Sequence, residues 1–264
     1  MSRRSLALVL LAAVLACGCS RRRSEPACPV VDRSGGDIPE LHAAKLPGVA
    51  IKLDGKLDEP AWQAAECSGG FVSPGSGSPE PGSRVNASAW TAWDDTNLYV
   101  AVRVEDAEPA APFAPTEVDP HVWERSSGIE LMLQPGDPGD NREYHEVQID
   151  TAGAKWTTSF DDYNDPIVDG PGGKRFGHQE WEPEIVSGVA VEPTAGRYTV
   201  ELALPWQDVR STRFAVPPRP GDVWRVNLYS FRDGQADALA WSPILGEGNF
   251  HRAARFGRII FEGP

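Results

Sequence analysis

Along residues 98–105 the chain alternates: Leu98, Val100, Val102 and Val104 are apolar, while Tyr99, Arg103 and Glu105 occupy the other phase. That period of two is the signature of a strand with one buried face. Residues 198–204 repeat it, with Thr199 and Glu201 expected on the solvent side. Similar stretches predict strands at 85–93, 129–134, 144–150, 154–160, 185–191, 223–231 and 255–261, separated by Gly, Pro, Asp and Asn clusters. Only 60–65 and 205–209 read as helical; both are short and have Pro in the first turn, where it is tolerated. The expected fold is all-β: a single antiparallel β-sandwich of jelly-roll type, with two short helices and long loops at 73–83, 107–122 and 161–183.

Composition sharpens this picture. Gly 26 and Pro 24 supply the turns, and 41% hydrophobic residues exclude simple disorder. Nine Trp are too many to be ligand platforms, so Trp62, Trp93, Trp206 and Trp224 are expected in the core. A formal charge of −13 removes nucleic acid from the partners, because phosphate binding requires a basic face.

The first residues read as an address. Arg3 and Arg4 precede an apolar run from Leu6 to Ala16, too short to span a bilayer. The following Ala16-Cys17-Gly18-Cys19 resembles a bacterial lipoprotein processing site, and both Cys17 and Cys19 fit as the lipidated residue. Cleavage before Cys19 leaves Cys28 and Cys67 as an even pair for a disulfide, so parity favours residues 1–18 as leader. Arg21, Arg22 and Arg23 then form a membrane-proximal collar. Residues 19–46 are expected to serve as anchor and flexible tether, and 47–264 as the folded body. The expected location is the bacterial cell envelope, on a periplasmic or outer surface.

Several short motifs run in one order through the body. They are Asp54-Gly55-Lys56-Leu57-Asp58-Glu59-Pro60-Ala61-Trp62, Ala92-Trp93-Asp94-Asp95, Val122-Trp123-Glu124-Arg125 with Gly128-Ile129-Glu130-Leu131, Tyr144-His145-Glu146-Val147-Gln148, Pro220-Gly221-Asp222-Val223-Trp224, and Phe250-His251 with Arg255-Phe256-Gly257. Together they resemble carbohydrate-binding module family 9 and its DOMON-like relatives. The resemblance implies a β-sandwich that binds sugars, in characterised members the chain ends of glucan or xylan, between two aromatic side chains. Carried over by position, these are Trp123 and Phe250, the latter where better-known modules have Trp. Glu130 matches a position that hydrogen-bonds sugar hydroxyls, Gln148 stands where those modules use Arg, and Arg125 and Asn249 complete the expected binding set. Alternation supports this for Glu130, which falls out of phase with Ile129, Leu131 and Leu133.

The same resemblance implies no catalysis. It admits calcium at acidic turns such as Asp94-Asp95, Asp106, Asp161-Asp162 or Asp165, and it suggests secreted glycoside hydrolases as partners in polysaccharide catabolism. Two alternatives remain. One is a DOMON-like haem domain for electron transfer, with Met132 and His145 as ligands. The other is a hydrolase-associated accessory with weak activity. No zinc, nucleophile or phosphate-loop pattern is present.

Overall fold

The alternating segments become strands. The computed structural model describes residues 28–48, 51–232 and 237–264. Its strands are β1 (Glu40–Lys45), β2 (Asn86–Trp93), β3 (Asn97–Glu105), β4 (Ser127–Gln134), β5 (Arg142–Asp150), β6 (Lys155–Asp162) and β7 (Val168–Gly170). They continue with β8 (Gly173–Arg175), β9 (Val186–Glu192), β10 (Arg197–Pro205), β11 (Val223–Arg232), β12 (Leu239–Ala240) and β13 (Gly257–Phe261). Helices α1 (Pro60–Ala64) and α2 (Val122–Arg125) are short, and Trp206–Asp208 and Ala253–Arg255 are single 3-10 turns. No helix among the described residues is long and apolar enough to cross a membrane.

Strands follow the order β6-β5-β4-β11-β13-β1-β2-β3-β10-β9, with β12 on β11. The path curls at β1, which pairs with β13 through Glu40–Ala43 and with β2 through Ala44 and Lys45. The two halves close over one core as a β-sandwich. Ile129, Leu131, Leu133, Val147 and Ile149 face Val100, Val102, Val200 and Leu202 there, with Trp93, Trp206 and Trp224 among them. Trp93, Trp206 and Trp224 each pack edge-on against Phe261 at 5.3 to 5.9 Å.

Three expectations change. The sheet is mixed, because β1 runs parallel to both its neighbours. It enters from the N-terminal segment and is hairpin-linked to neither, so nothing imposes antiparallel pairing. Within the stretch expected to be tether, residues 40–45 are therefore part of the sheet, with Leu41 and Ala43 fully buried. Two apolar residues in alternation were too short a signal to mark it. Upstream, Cys28 is disulfide-bonded to Cys67, and Arg33 donates to the carbonyls of Ser68 and Gly70, so the chain is held against the body from Cys28 onward. Cys17, Cys19 and the Arg21–Arg23 collar lie outside the described residues.

The third change concerns the outer face of the second layer. Thr199 and Glu201 are buried, not solvated, and the segment 51–65 folds over Glu201. Trp62 of α1 packs there with Trp90, Tyr99 and Ala203, forming a second apolar cluster. Glu201 accepts hydrogen bonds from the backbone N–H groups of Asp54 and Gly55 and from Trp62 Nε1, at 2.6 to 2.9 Å. Gly55 holds a positive φ of 77°, and a β-carbon on it would stand 2.1 Å from Ala190 N, so only glycine fits this crossing over β9.

Candidate functional site

The outer face of the other layer stays open. Side chains on it come from the polar phase of the strands whose apolar phase builds the core. Register aligns Tyr229, Glu130, Gln148 and Trp156 in one row across β11, β4, β5 and β6. A second row aligns Asn227, Met132, Glu146 and Thr158. Cross-strand neighbours share a face, so the rows bring carboxyl, amide and indole groups together.

A cleft of about 440 Å³ opens over these rows. Glu130, Glu146, Gln148, Trp156 and Thr158 line it from the sheet, Trp123 from α2, and Tyr163 from the turn after β6. Lys174, Arg175, Phe176 and Gly177 come from β8 and the loop beyond it, and Asn249, Phe250 and His251 from the loop before β13. Trp123 and Trp156 each pack on the cluster of Val122, Ala154 and Phe231, whereas Phe250 packs on the cluster of Tyr144, Phe160 and Tyr229. Both are half-buried, so each keeps ring surface exposed.

The loop carrying Phe250 is pinned from several sides. Asn141 donates to His251 O at 2.9 Å and accepts from Ala253 N at 2.6 Å. The His251 ring stacks on Tyr163, centroids 4.0 Å apart, while its Nδ1 meets Tyr144 OH at 2.6 Å. Burial lowers the His251 pKa to about 4, so the imidazole is neutral near pH 7. Asn249 donates to Tyr163 OH at 3.0 Å.

At the floor, Gln148 Nε2 donates to Glu146 Oε1 at 2.7 Å. The Glu130 and Glu146 carboxyls lie within hydrogen-bonding reach of each other. Burial raises both pKa values, and the neighbouring Glu146 charge raises that of Glu130 further, so the pair holds a shared proton well above the usual carboxylate range. Glu130 Oε2, Glu146 Oε2, Gln148 Oε1, Trp156 Nε1 and Thr158 Oγ1 are buried and meet no hydrogen-bonding partner among the described residues. Groups of this kind are costly to bury unless something completes them.

Five of the six residues expected to bind ligand therefore line one cleft: Trp123, Phe250, Glu130, Gln148 and Asn249. Arg125 does not; it is exposed, with its guanidinium 5.2 Å over the Phe113 ring. Positions two apart on a helix point in different directions, so Trp123 and Arg125 of α2 cannot both serve the cleft. Glu146, Trp156, Thr158 and Tyr163 were not among the expected residues. Trp156 and Thr158 sit in alternation within the predicted strand 154–160, but only register shows that this phase meets Gln148 and Glu146.

The haem ligand pair fails on parity. His145 is in register with the core residue Leu133, whereas Met132 shares the opposite face with Glu146. His145 packs on Trp181 at 4.8 Å and its Nε2 accepts from Arg210 N, so no single planar group reaches both side chains. The acidic turns are internally engaged. Asp94 accepts from Thr96, Asn97 and Tyr99, Asp106 pairs with Arg232, Asp161 with His178 and Asp162 with Arg142. No group of three or more His, Cys, Asp or Glu among the described residues is placed to hold a metal ion.

A β-sandwich with an aromatic-lined cleft on one open sheet face, floored by buried hydrogen-bonding groups, is the architecture of a small-ligand binding module. The chain belongs to the carbohydrate family 9 binding domain-like family, whose model matches residues 53–263. Among solved structures it resembles a family 9 carbohydrate-binding module from Caldicellulosiruptor kristjanssonii in complex with cellotriose, with TM-score 0.57, 14% identity, and coverage of 85% of this chain and 94% of that one. The same module in complex with glucose gives a TM-score of 0.56 at 14% identity, covering 85% and 96%. A carbohydrate-binding candidate from Bacteroides uniformis gives 0.63 at 20% identity, covering 86% of this chain and 100% of that one. Among curated proteins there is no match.

Proposed function

We propose that this protein binds carbohydrate in the cleft over β4, β5 and β6, without chemistry of its own. The observation that carries the reading is the combination of half-buried Trp123 and Phe250 with the hydrogen-bonding floor of Glu130, Glu146, Gln148, Trp156 and Thr158. A pyranose has an apolar face of C–H groups and a polar rim of hydroxyls, and requires both kinds of surface. The family, and the cellotriose and glucose complexes of the similar module, support the same ligand class. Against catalysis, Glu130 and Glu146 stand side by side at the floor within hydrogen-bonding reach. A glycosidase requires its carboxyls about 5 to 9 Å apart across the scissile bond.

The N-terminal residues complete the proposal: a lipid on Cys19 or Cys17 tethers the module to the cell envelope, where it holds polysaccharide within reach of secreted hydrolases. Titration calorimetry with cello- and xylo-oligosaccharides tests the binding reading, and Trp123→Ala is expected to weaken binding at least tenfold while the melting temperature is retained. Undiminished binding by the folded variant overturns the role of Trp123. Metabolic palmitate labelling of the wild type and of Cys19→Ser and Cys17→Ser tests the anchor, and absence of label in the wild type overturns it.

A further inference from the structure

The cleft floor carries more acceptors than donors. Glu130, Glu146 and Gln148 are only 2%, 3% and 2% exposed, and each presents a buried oxygen that no donor among the described residues reaches. The Gln148 amide nitrogen is already engaged by Glu146 Oε1, so its own Oε1 has no donor. Trp156 Nε1 and the Thr158 hydroxyl are the free donors beside them. No cation of the cleft lining sits at the floor. Lys174 and Arg175 are exposed on β8 and pair with Asp169 and Glu180 at 3.2 and 3.4 Å. His251 Nε2 is 3.9 Å from Glu146 Oε2, and its imidazole is neutral. Around this floor stand Trp123, Trp156, Tyr163, Phe176 and Phe250, rings whose faces attract positive charge.

An uncharged hydroxyl donates one hydrogen and accepts others; an ammonium donates three and accepts none. Two adjacent carboxyls, an unpaired amide oxygen and aromatic walls complement the second group better than the first. We propose that the preferred ligand of this cleft is an amino sugar with a free ammonium group, such as a hexosamine unit of a deacetylated polysaccharide, seated with that ammonium against Glu130 and Glu146. This rests on the carbohydrate reading above and narrows it. An N-acetyl group removes two of the three donors and adds an acceptor, so the acetylated sugar is disfavoured. A uronic acid brings a second negative charge to the floor and is disfavoured more strongly.

Binding expels the proton shared by the carboxyl pair: the ammonium takes its place, both carboxyls become carboxylates, and the proton passes to buffer. Affinity for the amino sugar therefore rises from about pH 5 to pH 6, where the sugar's own amine is fully protonated, and the gain fades as that amine loses its proton nearer neutrality. The other groups facing the pair keep their charge in that range. Burial and the nearby carboxyls hold the Tyr144 and Tyr229 hydroxyls protonated, and Tyr163 is raised in the same sense. His251 stays neutral, and at the rim Lys174 and Arg175 are engaged by Asp169 and Glu180. His178, whose pKa the hydrogen bonds to Asp161 and Glu180 raise, is turned to those carboxylates in a separate cleft beyond β6.

The test is calorimetry on the purified protein at 150 mM salt with glucosamine tetramer, N-acetylglucosamine tetramer and cellotetraose, in two buffers of different ionisation enthalpy. The glucosamine tetramer is expected to bind at least tenfold more tightly than either neutral tetramer, with proton release at about pH 5.5, where the sugar amine is fully protonated. Glu130→Gln and Glu146→Gln are expected to bring that ratio close to one. Cellotetraose binding with no preference for the amine, or a preference that survives both variants, overturns the inference and leaves the carbohydrate reading intact. Binding of none of the three overturns both. Because the protein is acidic, Trp123→Ala serves as a control: amine binding that persists in it is non-specific attraction and also overturns the proposal.

Discussion

The ring of Tyr229 lies flat against that of Phe250, centroids 4.1 Å apart and planes 3° from parallel. Tyr229 OH donates to Phe250 O at 3.2 Å, so one fully buried strand residue fixes both the ring and the backbone of a loop residue that lines the cleft. Phe250 is thereby presented as a preset platform and not as a mobile loop tip.

Phe250→Ala is expected to weaken oligosaccharide binding about tenfold, since aromatic contacts contribute roughly 0.5–1.5 kcal/mol beyond the area they bury. Tyr229→Phe keeps the stack and loses two hydrogen bonds, the one donated to Phe250 O and the one accepted from Asn227 Nδ2, so a loss of about fivefold is expected. Calorimetry on both variants checks the order; an equal or larger effect of Tyr229→Phe contradicts it.

Glu201→Ala is expected to destabilise the fold by about 3 kcal/mol or more, because it leaves Trp62 Nε1 and the N–H groups of Asp54 and Gly55 without their buried acceptor. Urea unfolding measures this. A loss below 1 kcal/mol indicates that water replaces the carboxylate and that the cover over β10 is looser than described.

Gly177 closes the cleft wall so tightly that a β-carbon on it would stand 2.4 Å from Thr158 Oγ1 and 2.9 Å from the Phe160 ring. Gly177→Ala is expected to displace this wall and weaken binding about fivefold, an effect of about 1 kcal/mol. Gly172→Ala meets no atom within 4 Å and is expected to bind like the wild type.

The carboxyl pair also links stability to pH. With Glu130 and Glu146 raised above 4.5, the native state holds a proton that the unfolded state has released, so their contribution is full below pH 4.5 and is lost as pH rises through the pair's own titration near and above neutrality. His145 and His251, lowered from 6.5 to about 4, act in the opposite sense between those values. The difference between Glu130→Gln/Glu146→Gln and the wild type isolates the pair. The double variant is expected to gain stability relative to wild type from pH 5 to pH 8, by about 1.4 kcal/mol per unit of pH over which the proton is held. A constant difference contradicts the shared proton.

Alternation alone placed most of the strands, because a period of two is a local property that burial of one face enforces wherever the strand sits. It located nine of them to within a few residues, and it put Glu130 on the face opposite Ile129 and Leu131. It did not reveal which polar phase stays open. Glu201 and Glu130 have the same pattern in sequence, yet one is sealed by Trp62 and the segment 51–65 while the other floors a cleft. The decision depends on which distant segment folds across each layer.

What the sequence by itself determined is therefore the sandwich, and Trp123 and Phe250 as aromatic candidates, carried by local pattern or by motif resemblance; cysteine parity left Cys28 and Cys67 as a candidate pair, which the structure joins. Only the tertiary structure decided the rest. It drew residues 40–45 into the sheet, turned Arg125 away from the cleft, set Met132 and His145 on opposite faces, and brought Glu146 beside Glu130. The physical reason is register: alternation assigns a residue to a face, but pairing across strands decides which residues on that face meet.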